Sequence, residues 1–322
     1  MNENTLPPGV IPGYIPPSIR TADQMALTVA TFAKAPSFAR IGELPPEALN
    51  VKLQHKLFGK ALWCFQQLTG SCVGTGGKKA YLDAAVGDVA VRGDREECKP
   101  SFGYDTYGIG RRLGGLRGKG DGSFGAAQAE AVSQYGMLPW DHPKVPKPTV
   151  KDNWVSYTEA VEYGYSWPPS WPVPEAQLKP DAETAQVQTI TVINNTEDAA
   201  QLAAQGYGIT LASMFGLRST TEPRVDNGFL MAGWTGSWAH QMSCGGYATH
   251  PTKGRIWWIQ NQWGDVHGRC PFMDALGVNG GFWITDATFG KIINSSDGEV
   301  IGHSNTEGFP MRLIDWGNVG IG

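Results

Sequence analysis

The periodicity of apolar residues changes at Gly206, and this change limits the folds open to the chain. Before Gly206 apolar residues recur at helical spacing, and after it they occur in short stretches rich in β-branched and aromatic residues. The predicted helices cover residues 22–35, a stretch from Cys72, 126–135 and 197–205. The predicted strands cover residues 207–213, 239–248, 255–261 and 281–285. Helices followed by strands indicate an α+β protein of two lobes and argue against a doubly wound sheet.

Local capping signals support the helix predictions. Thr21 followed by Gln24 matches a capping box at the start of the 22–35 helix. Asn195 followed by Asp198 predicts the start of the 197–205 helix, and Gly136 supplies a left-handed position after residue 135. The helix that starts at Cys72 has early glycines, which indicate that another backbone packs closely against it.

Residues 1–50 have the character of a proline-rich arm. Pro7, Pro8, Pro12, Pro16 and Pro17 fix φ and remove backbone donors. Such a segment is either a floppy terminus or is held against the body of the protein or against a neighbouring chain. We divide the remainder into a helical lobe over residues 51–150 and a β-rich lobe with the C-terminal tail over residues 151–322.

The composition excludes several classes of partner. The 26 Lys+Arg and 30 Asp+Glu give a net charge of −4, whereas nucleic-acid binding needs a clustered basic surface. No apolar run reaches the about 18 residues of a membrane span. The start of the chain lacks the basic and apolar regions of a signal peptide. We therefore expect no nucleic acid, no membrane and no signal-peptide secretion, with a cytoplasmic or particle-associated location.

The cysteines indicate a free thiol. Cys64, Cys72, Cys98, Cys244 and Cys270 are an odd number, and no C-x-x-C pair indicates a zinc or redox site. Without a secretion signal we expect the cysteines to be reduced. We expect no metal and no cofactor.

Cys72 follows Gly70-Ser71 at the start of a predicted helix. Unpaired N–H groups and the positive end of the helix dipole would lower the pKa of a thiol there. The side-chain amide of Gln66 could direct an N–H toward the same point as the Cys72 backbone N–H. Two such donors would hold an oxyanion. The alternative is a buried, inert cysteine.

A histidine and an asparagine stand on the predicted strands. His240 begins the 239–248 strand, and Asn261 ends the 255–261 strand just before Gln262-Trp263. A histidine can take a thiol proton, an asparagine can orient its ring, and an indole can shield their hydrogen bond. Taken singly, a histidine such as His240 is more often a core or surface residue, and an asparagine such as Asn261 is more often a strand-end cap.

These motifs, in this order, resemble those of the papain-like cysteine peptidases. The resembling segments are Gln66…Gly70-Ser71-Cys72, Asp121-Gly122-Ser123 ahead of the 126–135 helix, Ala239-His240, Asn261-Gln262-Trp263-Gly264 and Val278-Asn279-Gly280-Gly281-Phe282-Trp283-Ile284. The resemblance implies a papain-like two-lobe fold. Its helical left lobe and antiparallel, β-barrel-like right lobe would hold the active site between them.

The resemblance also implies roles for individual residues. Cys72 would be the nucleophile, His240 the general base and acid, and Asn261 the residue that orients His240. Gln66 would complete the oxyanion hole. The implied substrate-binding residues are Gly122, Ser123, Trp238 and Trp263.

Some positions depart from the family pattern. Thr69 stands where secreted members keep a disulfide cysteine, and Val73 replaces the usual tryptophan. Trp238 stands where the family lines its main side-chain pocket, so its ring could narrow that pocket. The segment before Cys72 is too short for the long helical inhibitory propeptide of the family, so we expect no autocatalytic zymogen.

Residues 108–120 are rich in glycine but do not match a phosphate-binding motif. Gly108, Gly110 and Gly114 miss the G-x-G-x-x-G spacing by one residue. We interpret the segment as a mobile, solvated loop near the cleft. Its basic residues could favour acidic substrates or partners, and they are Arg111, Arg112, Arg117 and Lys119.

The resulting hypothesis is a cysteine endopeptidase that hydrolyses peptide bonds in peptide or protein substrates through an acyl-enzyme thioester. The alternative is a structural or interaction subunit of a large assembly, such as a viral particle, built on the same fold. In that role the protein would bind its assembly partners through the N-terminal arm, with or without peptidase activity.

Overall fold

The computed structural model describes residues 13–62, 67, 70–93, 98–143, 175–185, 187–218, 225–263 and 269–319. The helices are α1 (Ala22–Ala33), α2 (Asn50–Phe58), α3 (Cys72–Arg92), α4 (Tyr104–Leu113), α5 (Gly125–Tyr135), α6 (Glu175–Ala182), α7 (Thr196–Ala204), α8 (Pro271–Asp274) and α9 (Asp286–Ile293). The strands are β1 (Ala48–Leu49), β2 (Thr189–Val192), β3 (Gly208–Arg218), β4 (Val225–Asp226), β5 (Phe229–Leu230), β6 (Gly233–His250), β7 (Gly254–Gln260), β8 (Gly281–Thr285) and β9 (Glu299–Ser304).

One antiparallel sheet dominates the second half of the chain. Its strand order is β2-β9-β3-β6-β7-β8, with β1 paired to β6, while β4 and β5 form a separate hairpin. Ser213 of β3 pairs with His240, and Ser243 of β6 pairs with Gln260 of β7. This register brings His240 and the residue after β7 to the same end of the sheet.

The core of the sheet is aromatic and buried. Trp257, Trp258 and Trp283 are at most 2% exposed and belong to one apolar cluster with residues of α7 and α9. Phe289 of α9 lies with its ring centroid 4.5 Å from that of Trp257. Burial of large apolar side chains contributes about 1.5–3 kcal/mol each, so this cluster stabilises the sheet and the helices packed on it.

Helix α3 packs closely against neighbouring backbone. A Cβ atom on Gly87 would lie 2.1 Å from the carbonyl oxygen of Gly206, and one on Gly74 would lie 2.7 Å from Cβ of Tyr107. These glycines therefore let α3 approach both the loop before β3 and helix α4. The prediction that small residues mark a close backbone approach is confirmed.

The α+β class and the capping signals are confirmed. Thr21 Oγ1 accepts from the Gln24 N–H while Gln24 Oε1 accepts from the Thr21 N–H, which starts α1 with a complete capping box. Asn195 Oδ1 accepts from the Asp198 N–H at 2.8 Å and starts α7. Gly136 follows α5 with φ at +75°.

The interpretation of residues 108–120 as a mobile, solvated loop is wrong. The first part of this segment belongs to α4, and Arg111 is 1% exposed. Its guanidinium donates to the carbonyls of Leu116, Lys119, Gly120 and Gly122. Arg111 therefore fixes the shape of the turn after α4 and is not available to an acidic partner.

Membrane-spanning helices and metal-ligand clusters are both absent from the residue ranges given above. None of the helices there has the length and apolar character that a bilayer span needs. No group of three or more His, Cys, Asp or Glu side chains is placed to hold a metal ion there.

Candidate active site

Cys72 is the first residue of α3, and its side chain is fully buried. The expectation of a lowered pKa is wrong for this conformation, because burial raises the pKa of the Cys72 thiol to about 12. Backbone hydrogen bonds from Gln241, Gly13 and Val73 oppose this rise, while the charge of Asp121 adds to it. The sulfur therefore lies beside the main chain of Gln241, the residue that follows His240.

His240 and Asn261 are in direct contact. Asn261 follows the last residue of β7, and its Oδ1 lies 2.8 Å from Nε2 of His240. The same Oδ1 accepts from the Gln262 N–H at 2.7 Å, which orients the amide. Since Nε2 makes the contact with Asn261, Nδ1 is the ring nitrogen that would exchange a proton with a thiol.

The Trp263 indole covers the His240 ring. The two ring centroids are 4.0 Å apart and the planes are inclined by 26°. Both side chains are largely buried, with His240 2% and Trp263 8% exposed. The stacked indole excludes water from one face of the imidazole and fixes the plane of the ring.

A second contact joins the helix of Cys72 to the strand of His240. Gln241 Nε2 donates to the Val73 carbonyl oxygen at 3.0 Å. Each partner is the immediate neighbour of Cys72 or of His240. This hydrogen bond therefore fixes the first turn of α3 against β6.

The turn Asp121-Gly122-Ser123 forms a wall of the same cleft. Gly122 has a φ of +107°, a conformation that favours glycine. The Tyr107 hydroxyl donates to Asp121 Oδ1 at 2.6 Å and accepts from the Gly122 N–H at 2.9 Å. Asp121 Oδ2 in turn accepts from the Gly70 N–H, so this turn is joined to the segment that precedes Cys72.

Residues 13–15 of the N-terminal arm lie across this cleft. Gly13 N donates to the Ala239 carbonyl at 3.2 Å, and Gly13 O accepts from the Ser123 N–H at 2.8 Å. Ile15 N donates to the Ser123 carbonyl at 2.7 Å, which completes a parallel β-bridge between Tyr14 and Ser123. This part of the arm is thus held against the body of its own chain, and its main chain occupies the place beside Cys72.

The side chain of Tyr14 enters a pocket next to Cys72. Tyr14, Cys72, Val73 and Ala212 form one buried apolar cluster, with Ala239 packed against it. The Tyr14 hydroxyl reaches the far end of the pocket and donates to the carbonyl oxygen of Asp297 at 3.2 Å. Burial and then the charge of Glu299 hold the pKa of Tyr14 well above its usual range, so the hydroxyl stays protonated.

A buried ion pair fixes the next part of the arm. Arg20 Nη2 lies 2.8 Å from Glu299 Oε2, and neither side chain is more than 6% exposed. Arg20 also lies over the ring of Phe124, 4.6 Å from its centroid. Arg20 therefore anchors the arm to strand β9 and to the start of α5.

Comparison with known proteins identifies the fold. No protein-family model matches the chain, and no curated protein matches its sequence. Xylellain, a cysteine protease from Xylella fastidiosa, matches with a TM-score of 0.57 and 16% identity, over 92% of this chain and 96% of that chain. The chain has the papain-like fold. A procathepsin B from Trypanosoma congolense matches with a TM-score of 0.50 and 13% identity, over 92% of this chain and 87% of that chain.

Within the papain-like fold, the structure brings together most of the residues proposed from the sequence. Cys72, His240, Asn261 and Trp263 lie around one end of the sheet, and the turn with Gly122 and Ser123 lies opposite. Gln66 lies outside the described residues. The Trp238 ring lies over Gly216 and Gly236, 2.5 Å and 2.9 Å from the positions that Cβ atoms there would take.

Sequence reasoning missed the residues that fill and support the cleft. Tyr14 and Arg20 lie in the arm, and Tyr107 and Glu299 belong to no motif that the sequence analysis identified. The contacts of the arm are distant in the chain, with Tyr14 and Asp297 283 positions apart and Arg20 and Glu299 279 positions apart. The proline-rich composition of the arm was the only signal that drew attention to any of these regions.

A separate cavity of about 760 Å³ lies beside α3. Its lining includes Tyr81, Asp88, Lys99 and Thr306, and it includes none of Cys72, His240 and Asn261. This cavity is therefore separate from the site of these three residues, where residues 13–15 lie across the cleft.

Proposed function

We propose that the chain is a cysteine peptidase in which Cys72 is the nucleophile and His240 is the base. The observation that carries the proposal is the place of the Cys72 sulfur beside the Gln241 main chain, one residue from a histidine whose Nε2 lies 2.8 Å from Asn261 Oδ1. A thiol at a helix start, an imidazole and an orienting amide are the groups that nucleophilic acyl transfer requires.

The proposed reaction proceeds in two halves. His240 Nδ1 takes the Cys72 proton, and the thiolate attacks the peptide carbonyl carbon to form a tetrahedral oxyanion. Collapse of this species breaks the C–N bond as His240 returns the proton to the leaving amine, which leaves a thioester on Cys72. Water, deprotonated by His240, then attacks the thioester, releasing the carboxylic acid product and restoring the thiol.

Two sets of backbone groups support the stabilisation of the oxyanion and the binding of the substrate. The Cys72 N–H at the start of α3 can donate to the oxyanion, with the Gln66 amide as the second donor predicted from the sequence. The Ser123 N–H and carbonyl already pair with an extended main chain, that of the arm. A peptide or protein substrate can use the same two groups once the arm has moved.

According to this proposal, the conformation described here is inactive, because the arm covers the cleft. The arm main chain lies beside the sulfur, Tyr14 fills the adjoining pocket, and burial raises the pKa of Cys72 to about 12. A thiol in this state is protonated at neutral pH and is closed to a substrate. Displacement of residues 13–20 is therefore the step that precedes catalysis.

Covalent capture tests the proposed function directly. The full chain is incubated with an epoxide thiol trap and with a fluorescent peptide mixture, and the labelled residue is found by mass spectrometry. Capture at Cys72 with hydrolysis that is lost in Cys72→Ala supports the proposal. Cys98→Ala, which changes a different, partly buried cysteine, is the matched control. Hydrolysis that persists in Cys72→Ala would overturn it.

A further inference from the structure

The side chain of Gln241 lies where helix α3 meets strand β6. Gln241 is 2% exposed and follows His240 directly in the strand. It pairs with Ala212 of β3, so the two side chains lie on the same face of the sheet. Ala212 belongs to the buried cluster that contains Cys72. The Gln241 side chain is therefore on the face of the sheet that contacts the start of α3.

Three contacts join Gln241 to the first turn of α3. Its Nε2 donates to the Val73 carbonyl oxygen at 3.0 Å. Its carbonyl oxygen lies 3.0 Å from the position that a Cβ atom on Gly76, one turn after Cys72, would take. Its N–H group donates to the Cys72 sulfur. One residue therefore binds the helix through its side chain and the nucleophile through its main chain.

The side-chain amide of Gln241 is only half satisfied. Its Nε2 binds the Val73 carbonyl, while its Oε1 is buried and has no hydrogen-bond partner in the described part of the chain. A buried acceptor without a donor is costly, and an apolar side chain would fill the same space without that cost. A glutamine at this position therefore indicates a role beyond packing, one that needs the amide donor.

The contacts of Gln241 are independent of the N-terminal arm. The arm bonds to the main chains of Ala239 and Ser123, whereas the Gln241 amide bonds to α3. Among the N–H groups that favour the thiolate, the one from Gly13 leaves with the arm, and those from Gln241 and Val73 stay. In the open cleft, the Gln241 N–H is therefore the donor from β6 that remains beside the sulfur.

We propose that Gln241 is a positioning residue whose side chain holds its own N–H group against the Cys72 sulfur and so stabilises the thiolate that attacks the substrate. This inference rests on the proposed function. When His240 takes the thiol proton, the sulfur gains a negative charge, and a donor already fixed at that place stabilises the charge without reorganisation. Loss of the bond to Val73 would let β6 move away from α3 and weaken this donor.

The experiment measures how fast iodoacetamide labels Cys72 in the full chain between pH 6 and 9, with mass spectrometry as the readout. Gln241→Met keeps the length of the side chain and removes the donor. Gln201→Met is the matched control, because Gln201 is also a buried glutamine whose Nε2 donates to a main-chain carbonyl, that of Ile41, at 3.2 Å. Asp121, whose charge acts on the thiol, is present in all of these chains. Since the arm does not bond to the Gln241 side chain in the described residues, the ratio of the rates does not depend on how often the arm opens.

We expect Cys72 of Gln241→Met to react about tenfold more slowly than that of the wild type at each pH, which displaces the profile by about one pH unit to the alkaline side. This is the effect of weakening one hydrogen bond to a charged group. The Gln201→Met profile should superimpose on that of the wild type. Loss of a side chain that only packs the cleft would expose Cys72 and speed its labelling, so an equal or faster rate in Gln241→Met would overturn the inference.

Gly76→Ala tests the same donor from the helix side and keeps the Gln241 side chain. The added Cβ atom presses on the Gln241 carbonyl, so the labelling of Cys72 should slow here as well. Gly290→Ala, where the nearest atom lies 3.5 Å from the added Cβ, should leave the rate unchanged. An unchanged rate in Gly76→Ala would overturn the inference even if Gln241→Met failed to fold. Absence of labelling at Cys72 in every chain would instead refute the proposed function, and the inference with it.

Discussion

Gly13 lies so close to Gly70 that a Cβ atom on residue 13 would stand 1.7 Å from the Gly70 carbonyl oxygen. The neighbouring contact is also tight, since a Cβ atom on Gly122 would stand 3.0 Å from the Gly13 carbonyl oxygen. The arm can therefore pass beside Cys72 only because residue 13 has no side chain. A single substitution at Gly13 should consequently convert the covered cleft into an open one.

Gly13→Val should expose Cys72. Because the Gly70 backbone cannot move away without disturbing α3, the substituted arm must leave the cleft. We expect the rate of Cys72 carbamidomethylation by iodoacetamide at pH 7.5 to rise at least about tenfold, as expected for a thiol released from burial. The matched control is Gly42→Val, because no atom lies within 4 Å of a Cβ there. Equal rates in the two variants would show that the arm does not protect the thiol.

The pH dependence of alkylation should differ between the covered and the open cleft. Burial raises the pKa of Cys72 to about 12, so in the wild-type chain the reactive thiolate increases with pH well beyond pH 9. In Gly13→Val the desolvation is relieved, and the rate should level off at a lower pH. Alkylation quenched at set times and followed by mass spectrometry between pH 5 and 10 measures both profiles. Superimposable profiles would show that the arm does not cause the burial of Cys72.

Asn261→Ala should slow hydrolysis without unfolding the protein. The substitution removes the Oδ1 atom that lies 2.8 Å from His240 Nε2, so the imidazole loses its fixed orientation. Measured in the Gly13→Val background, kcat should fall by about tenfold or more, as expected when an orienting hydrogen bond is lost. Asn294→Ala, at an exposed asparagine after α9, should leave kcat unchanged.

Tyr107→Phe should loosen the wall of the cleft. The hydroxyl donates to Asp121, accepts from the Gly122 N–H and contacts the Gly70 carbonyl at 3.0 Å, so its removal leaves buried groups unsatisfied. We expect a loss of about 1–3 kcal/mol in the free energy of unfolding. Urea denaturation measures this loss, and Tyr135→Phe, which changes a partly buried tyrosine of the neighbouring helix, is the control.

Asp105→Asn should stabilise the protein at neutral pH. Burial raises the pKa of Asp105 from 3.8 to about 6, which corresponds to about 3 kcal/mol. The folded state binds this proton more tightly than the unfolded state, so stability falls as pH rises from about 4 to about 6 and the penalty is complete above that range. Asparagine can still accept from the Leu138 N–H, the bond that Asp105 Oδ2 accepts at 2.8 Å.

The measurement for this variant is the difference in Tm from the wild type at pH 4 and at pH 7. The gain should be several degrees larger at pH 7 than at pH 4. Asp23→Asn, at an exposed aspartate in the first turn of α1, serves as the control. An equal gain at both values would show that the charge of Asp105 carries no penalty.

Local signals explain which parts of the fold could be predicted. The capping partners of α1 and α7 are three residues apart, so the sequence itself contains both members of each hydrogen bond. The Gly-rich part of α4 was predicted wrongly because its stability depends on Arg111. That side chain binds carbonyls five to eleven positions ahead, a relation that no periodicity reveals.

The state of the candidate site depended on contacts that are remote in sequence. The order of Cys72, His240 and Asn261 could be recognised from short motifs. The raised pKa of Cys72 could not, because the burial that causes it involves Gly13 and Tyr14, from a segment with no motif of its own. The same holds for Arg20 and Glu299, whose ion pair joins opposite ends of the chain.

Arg111 makes the shape of the cleft wall insensitive to thiol reductants, whereas a disulfide at the same place would be reduced. Its guanidinium gathers four carbonyl oxygens of the turn after α4, and no cysteine takes part in that network. A thiol reductant such as dithiothreitol therefore leaves the shape of the Asp121-Gly122-Ser123 turn unchanged. Reducing conditions therefore preserve both the Cys72 thiol and the turn beside it.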